Sequence, residues 1–256
     1  MDLERELEEA LRISRLAGDL ALSHFARPPS MRQKKDLSPV TEADLECESL
    51  ISRNLAEQFP ADGILGEEGA FKQSRSGRQW IIDPIDGTRD FVRRTPYWAT
   101  QLALAIDGEI VLGVIKLPYL NEILHAVKGE GCYWNHTRVS ASSVSALDQA
   151  ILLISGFQSA WHVWPAETIR QLTQCCWTVR AYGACYDITM IARGKADVWL
   201  SGNGMPWDYA PPLVIARECG AAFLTRDGRG RIDSRHCVIS APGLKSAVCS
   251  LLEVSG

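Results

Sequence analysis

The stretch from Trp80 to Thr88, W-I-I-D-P-I-D-G-T, places two aspartates three residues apart, directly after an apolar run. Asp-Pro and Asp-Gly are frequent in turns, and an Asp side chain can hydrogen-bond to the nearby backbone, so a simple turn is the plainer interpretation. The apolar run before them has the composition of a buried strand. The stretch therefore predicts a strand that ends in two carboxylates, Asp83 and Asp86, whose role depends on the rest of the chain.

The composition is that of an ordinary globular protein, with 256 residues of which 46% are hydrophobic and 23% are charged. Linker-like runs and solenoid repeats are absent from the sequence, so we expect one structural unit over residues 1–256, with approximate halves 1–145 and 146–256. The formal net charge of −4 argues against a protein that binds nucleic acid or a membrane surface, because both need a basic face. A small-molecule partner is the better expectation.

The N-terminus and the cysteines both bear on the compartment in which the protein is found. The first residues, M-D-L-E-R-E-L-E-E, are acidic and amphipathic, so we do not expect a signal peptide. Apolar runs elsewhere in the sequence are shorter than a membrane span, so we do not expect a span either. The eight cysteines are scattered and contain no C-x-x-C pair. We therefore predict reduced thiols in a cytoplasmic protein.

Hydrophobic periodicity predicts a layered α/β sandwich, in which each half is a sheet with helices on its faces. Leucines recur at helical spacing over residues 2–26, and a second helix is expected from Thr41 to about Phe59; the side chains predicted to face inward are Leu3, Leu7, Leu11, Leu16, Leu20, Leu45, Leu50, Ile51 and Leu55. From Trp98 to Val127 the alternation and turn residues predict an antiparallel meander. The second half mixes short strands with helices predicted at 164–175, 185–193, 207–219 and 242–252.

Carboxylates recur at the ends of the predicted elements, which suggests that they converge. They are Glu67, Glu68, Asp83, Asp86 and Asp208. Buried like charges repel unless a cation neutralises them, and an all-oxygen ligand set favours a hard ion such as Mg²⁺.

Gly87 and Thr88 add a candidate phosphate site to these acids. Glycine lets the backbone approach a ligand closely, and successive N–H groups at a turn or helix start attract an anion. A metal site beside a phosphate site predicts hydrolysis of a phosphate ester by a metal-activated water. The Thr88 hydroxyl could position that water while Asp44 accepts its proton, although Asp44 lies where it could equally be a helix cap.

Three segments of the chain resemble the signatures of the inositol monophosphatase family: G-E-E (66–68), D-P-I-D-G-T-R-D-F (83–91) and P-W-D-Y-A with I-A-R-E-C-G-A (206–221). The resemblance runs from about residue 10 to the C-terminus. It implies a five-layer αβαβα sandwich, two or three Mg²⁺ ions, a homodimer and a phosphomonoesterase acting on a small-molecule phosphate ester.

The resemblance also assigns roles to individual residues. Glu67, Asp83 and the main-chain carbonyl of Ile85 would hold one Mg²⁺, and Asp83, Asp86 and Asp208 a second. The N–H groups of Gly87 and Thr88 would bind phosphate, and Thr88, Asp44 and Glu67 would form the catalytic set. The basic loop with Lys34 and Lys35 would lie near the metals. Substrate contacts are expected from Thr88, Arg89, Ser201, Asp208 and Gly87.

The residues after Thr88 resemble the histidinol-phosphatase branch of the family, so histidinol phosphate is the first expected substrate and an inositol monophosphate the second. Two departures weaken that transfer. Ala184 stands where the histidinol branch commonly has an acid, and Ser201 stands where both branches tend to have one, seven residues before Asp208. The alternatives are a phosphosugar or 3′-nucleotide bisphosphate phosphatase of the same family, and a phosphate-binding relative without turnover.

Overall fold

The computed structural model describes residues 3–27, 31–34 and 39–253. Helices and strands alternate irregularly along the chain. The helices are α1 Glu4–Phe25, α2 Glu42–Gln58, α3 Thr88–Arg93, α4 Phe157–Val163, α5 Ala166–Cys175, α6 Ala184–Ala192, α7 Pro206–Glu218 and α8 Lys245–Leu252.

The described strands form an eight-stranded sheet, called the large sheet below, a five-stranded sheet, called the small sheet, and one short hairpin. The hairpin strands are β1 Met31–Gln33 and β2 Pro39–Thr41, which pair antiparallel. The eight-stranded sheet contains β3 Gly63–Gly66, β4 Phe71–Lys72, β5 Arg78–Asp86, β6 Ala99–Ile106, β7 Glu109–Leu117, β8 Glu122–Val127, β9 Gly131–Trp134 and β10 Thr137–Val139. The five-stranded sheet contains β11 Ile151–Ser155, β12 Thr178–Arg180, β13 Val198–Gly202, β14 Ala222–Leu224 and β15 His236–Ser240.

The spatial order of the strands is β10-β9-β8-β7-β6-β5-β3-β4 in the large sheet and β12-β11-β13-β15-β14 in the small one. The predicted meander is confirmed, because β6, β7 and β8 are consecutive antiparallel neighbours. Among the described strands of the eight-stranded sheet, β3 and β5 are the one parallel pair, which brings their carboxyl ends to the same edge.

The helices and sheets stack in five layers, which confirms the predicted αβαβα sandwich. Helices α1 and α2 cover one face of the large sheet, and α6 and α7 fill the space between the two sheets. Helices α4, α5 and α8 cover the outer face of the small sheet. Alternation along β13 illustrates the arrangement, because Trp199 faces the central helices and Leu200 faces the outer ones.

The predicted leucine stripe of α1 is partly wrong, because Leu16 is 42% exposed. The buried face consists mainly of small side chains, from Ala10 through Ala17 to Ala21, with Gly18 among them. A Cβ atom added to Gly18 would lie 3.0 Å from the Cγ of Pro118, so the helix backbone packs too closely for large side chains there. Leu45 of α2 is likewise exposed rather than buried.

The end of β5 departs from regular pairing at the position of the opening motif. Pairing with β6 is continuous from Arg78 to Asp83, shifts register, and resumes at Asp86 opposite Ala99. Pro84 lacks an N–H for the ladder, and its carbonyl accepts a hydrogen bond from the Thr100 hydroxyl at 3.0 Å. Such an irregularity redirects side chains, and here it allows both aspartates to reach one site.

Within residues 3–27, 31–34 and 39–253, no helix is both long and apolar enough to cross a bilayer.

Candidate active site

Three aspartates from the two halves of the chain form one cluster. Carboxylate oxygens of Asp83, Asp86 and Asp208 all lie within 4.8 Å of one another. The first two come from the irregular end of β5, and Asp208 comes from the first turn of α7. The N–H of Met205 donates to Oδ2 of Asp208 at 2.6 Å, which fixes this carboxylate at the helix start.

Burial and mutual repulsion raise the pKa values of these carboxylates in the absence of a cation. Burial, with the charge of Asp86, raises the pKa of Asp208 to about 8. Burial also raises the pKa of Asp86 to about 6, and burial with the neighbouring carboxylates raises the pKa of Asp83 well above its ordinary value. The cluster is therefore a site of strong negative potential.

The oxygen atoms of this cluster fit a hard divalent cation. Among the described residues, Oδ1 of Asp83 and Oδ2 of Asp86 are buried and have no hydrogen-bond partner. Buried polar atoms are nearly always satisfied, so two open carboxylate oxygens in one place fit a bound cation. A set of carboxylate oxygens without His or Cys ligands matches the preference of Mg²⁺.

Glu67 lies beside the cluster and is paired with a lysine. The ammonium of Lys34, which follows β1, is 2.8 Å from Oε1 of Glu67 and 2.6 Å from Oε1 of Glu68. Burial lowers the pKa of Lys34, but its hydrogen bonds to Glu67 and Glu68 outweigh that effect and raise it. The charge of Glu67 contributes to the raised pKa of Asp83, so Glu67 is electrostatically part of the site. Lys35 lies outside the described residues.

Glu48 of α2 supports the Glu67–Glu68 turn and was not singled out from the sequence. Its carboxylate accepts the N–H of Glu68 at 2.8 Å and the N–H of Ala70 at 2.7 Å. Gly66 permits this contact, because a Cβ atom there would lie 2.5 Å from the Glu48 carboxylate. The available sequence signal was an acid on the inner side of α2, one residue after Cys47, which is also buried.

Asp44 is a helix cap and also contacts Thr88. Its Oδ2 accepts the N–H of Thr41 at 2.8 Å and the Thr41 hydroxyl at 2.5 Å, as expected at the start of α2. Its Oδ1 accepts the Thr88 hydroxyl at 3.3 Å, and that hydroxyl is equally far from the carbonyl oxygen of Ile85. The two interpretations of Asp44 are thus compatible, because each uses a different oxygen. Burial raises the pKa of Asp44.

Gly87 makes the turn between β5 and α3 with a positive φ of 87°. A Cβ atom there would lie 2.7 Å from the carbonyl oxygen of Tyr97, so only glycine fits this turn. The first N–H groups of a helix have no acceptor within it, which leaves those of α3 directed at the space before the helix. Arg89 is exposed, whereas the Ile85 side chain is buried against Phe91 and Trp98.

The expected substrate residue Ser201 lies inside the fold. Its side chain is buried, and its hydroxyl is 3.2 Å from the hydroxyl of Tyr209, which also accepts the N–H of Gly204. Cys185, in the first turn of α6, lies next to Asp86, and its thiol and N–H lower the pKa of that carboxyl group. Cysteine spacing gave no signal for this contact. The Ala184 side chain lies outside what the structure describes.

Comparison with known proteins places the chain among phosphatases. The model of the inositol monophosphatase family matches residues 2–255. The chain belongs to the inositol monophosphatase family. It is therefore a phosphoric monoester hydrolase by family, and the resemblance drawn from its three sequence signatures is confirmed.

Individual members of the inositol monophosphatase family cover nearly the whole chain. A histidinol-phosphatase of Chlorobaculum parvum is 35% identical over 243 residues, which are 94% of this chain and 92% of the relative. A fructose-1,6-bisphosphatase/inositol-1-monophosphatase of Thermotoga maritima is 31% identical over 227 residues, 87% of this chain and 86% of the relative. A solved IMPase structure from Thermotoga maritima superposes with a TM-score of 0.87 at 28% identity and covers 97% of both chains.

Proposed function

We propose that the protein is a Mg²⁺-dependent phosphomonoesterase of small-molecule phosphate esters, with histidinol phosphate as its first candidate substrate. The observation that carries this proposal is the aspartate cluster with two buried, unpartnered oxygens, on Asp83 and Asp86. The cluster directly precedes the Gly87 turn, which suits a phosphate group.

The residues proposed to hold two or three Mg²⁺ ions are Glu67, Asp83, Asp86, Asp208 and the carbonyl of Ile85. When bound, Mg²⁺ would supply the charge that favours ionisation of the attacking water and that offsets the negative charge of the phosphate. To bind a metal ion, Glu67 would have to give up its ion pair with Lys34.

The chain itself would supply phosphate binding and proton transfer. The N–H groups of Gly87 and Thr88 would hold phosphate oxygens, with Arg89 and Asp208 at the substrate end of the site. The Thr88 hydroxyl would orient a water molecule, and Oδ1 of Asp44 would receive its proton through that hydroxyl. The raised pKa of Asp44 makes it a stronger base than an exposed aspartate.

The substrate assignment rests on the histidinol-phosphatase named among the relatives and on the R-D-F segment after Thr88. The second candidate is an inositol or sugar phosphate, which the name of the Thermotoga maritima relative supports. With either substrate, Ser201 would supply no charge to the site, and its hydroxyl is hydrogen-bonded to that of Tyr209.

Two further properties belong to the proposal. All eight cysteines are free thiols, which supports a reducing compartment such as the cytoplasm. The homodimer implied by the family resemblance would be checked by light scattering of the purified chain, with a monomeric mass contradicting it.

The testing experiment is a panel of phosphate monoesters assayed with Mg²⁺. It includes histidinol phosphate, inositol 1-phosphate, fructose 1,6-bisphosphate and adenosine 3′,5′-bisphosphate. Turnover should disappear with excess chelator and return with Mg²⁺, whereas Ca²⁺ should bind and support less turnover because its looser coordination misplaces the water. Undiminished hydrolysis in excess chelator, or no hydrolysis of any ester, would refute the proposed reaction.

A further inference from the structure

Three tyrosines form a cluster that the proposed reaction does not use. Tyr97 lies between α3 and β6, Tyr182 precedes α6, and Tyr186 is in the first turn of α6. The ring centroids are 5.5 Å apart for Tyr97 and Tyr182, 5.0 Å for Tyr97 and Tyr186, and 5.4 Å for Tyr182 and Tyr186. All three side chains are only partly buried, so the cluster presents aromatic surface to solvent.

The tyrosine cluster is built onto the backbone of the candidate active site. The carbonyl oxygen of Tyr97 is the atom that excludes a Cβ from Gly87, which makes Tyr97 a direct neighbour of the Gly87 turn. The same carbonyl lies 3.3 Å from the Cβ position of Gly183, the residue between Tyr182 and α6. Two residues later, Cys185 lies next to Asp86 and lowers the pKa of its carboxyl group. The segment that carries Tyr182 and Tyr186 therefore also touches a carboxylate of the metal cluster.

We propose that Tyr97, Tyr182 and Tyr186 bind the alcohol portion of the phosphate ester and select a flat aromatic or cationic group over a polyhydroxylated ring. This inference rests on the proposed phosphatase function and names the substrate class of that same site. Aromatic faces attract cations and stack on flat rings, whereas a polyol needs many hydrogen-bonding partners. Ser201 supplies no charge and its hydroxyl is bound to Tyr209, so recognition of a cation falls to other groups.

The test compares two esters in matched variants of Tyr97 and Tyr186. Each tyrosine is replaced by Leu, which removes the ring, and by Phe, which keeps it. With histidinol phosphate, Tyr97→Leu and Tyr186→Leu should each lose about 5- to 30-fold in kcat/KM, mainly through KM, because a desolvated cation–π contact is worth that much. With inositol 1-phosphate the same variants should stay within about twofold, and the Phe variants should keep most of the activity on both esters.

The control variant is Tyr119→Leu, because Tyr119 is exposed and contacts Phe25 edge-to-face rather than the cluster. It should leave both specificity constants unchanged. Inhibition by inorganic phosphate should also be the same in all variants, since the cluster is proposed to contact only the alcohol portion. Equal losses on both esters, or weaker phosphate inhibition in the Leu variants, would show a structural role and overturn the inference.

A binding measurement separates this inference from the proposed reaction. Calorimetry with histidinol alone should detect binding to the wild type that Tyr97→Leu weakens. If the wild type hydrolyses no ester but this difference persists, the reaction is refuted and the binding cluster stands. If histidinol binds both proteins equally, the cluster assignment is overturned whatever the enzyme hydrolyses.

Discussion

Asp44 is a buried carboxylate with an observed structural role and a proposed catalytic one. One oxygen accepts two hydrogen bonds from Thr41 and so caps α2, while the other faces the Thr88 hydroxyl. Burial raises the pKa of this group, which a cap alone does not require. A substitution that keeps one oxygen can therefore separate the two roles.

The Asp44→Asn variant should fold normally and lose turnover. Its remaining oxygen can still accept from Thr41, whereas the amide nitrogen cannot receive a proton from Thr88. We expect kcat to fall by about 10²- to 10⁴-fold, the usual contribution of a general base, with little change in melting temperature. Glu42→Gln, an exposed change in the same first turn, is the matched control. Turnover like that of the wild type in Asp44→Asn would leave Asp44 as a cap only.

Asp187 is a buried acid outside the aspartate cluster, and its titration should affect protein stability. It accepts the Ser155 hydroxyl at 2.5 Å, and Ser155 in turn accepts the indole N–H of Trp199 at 2.8 Å. Burial raises the pKa of Asp187 to about 7. A raised pKa means that the folded state binds the proton more tightly, so this contribution to stability is complete below pH about 4 and is lost as the pH rises to about 7.

The Asp187→Asn variant should remove this pH dependence. Between pH 5 and pH 8 the wild type should lose on the order of 2–3 kcal/mol of unfolding free energy through Asp187, and the variant should lose that much less. Denaturant unfolding with saturating Mg²⁺ measures the difference, and Asp148→Asn, an exposed change, is the control. Identical pH profiles for the wild type and Asp187→Asn would contradict the assignment.

At the scale of elements, the β1–β2 hairpin brings a cation to the carboxylates of the β3 end. Lys34 neutralises Glu67 and Glu68, whose turn is held in place by Glu48. Burial raises the pKa of Glu68 to about 7 even with this lysine beside it. The ammonium and a bound metal would thus compete for Glu67.

The Lys34→Gln variant should bind Mg²⁺ more tightly than the wild type. A partly buried ion pair of this kind contributes about 0.5–1.5 kcal/mol, so we expect a Kd about 2- to 10-fold lower by calorimetry. The metal-free variant should also melt at a lower temperature. Lys128→Gln, which breaks the exposed pair with Glu109, is the matched control. Weaker Mg²⁺ binding in Lys34→Gln would mean that Lys34 supports the loaded site instead of competing for it.

At the scale of the whole molecule, the sequence predicts what is local and misses what packing decides. The Asp83–Thr88 motif fixes a strand end and a glycine turn within a few residues, so both could be predicted from it. The contact of Cys185 with Asp86 requires α6 to pack against the end of β5, about 100 residues earlier in the chain, and no local pattern encodes that approach. The exposed Leu16 has the same origin, because the close approach of α1 to Pro118 decides which face is buried.

The aspartate cluster also links distant parts of the fold, because β5 belongs to the large sheet and α7 lies between the two sheets. Without a cation, the repulsion within the cluster opposes folding, and a metal that binds only the folded state reverses this effect. Replacing one of these aspartates should therefore raise the stability of the metal-free protein and reduce the stabilisation that the metal provides.

The Asp83→Asn variant tests this link. Removing one buried carboxylate should raise the unfolding free energy of the chelator-treated protein, because burial and the neighbouring carboxylates raise the pKa of Asp83 well above its ordinary value. The wild type should gain about 2–3 kcal/mol with Mg²⁺ at 100 times its Kd, and Asp83→Asn should gain little. Asp107→Asn is a fitting control, because residue 107 has a φ of 49° in a turn that Asn tolerates well. A variant that is less stable than the wild type in chelator, yet is still stabilised by Mg²⁺, would show that Asp83 holds the fold by hydrogen bonding and that the ion binds elsewhere.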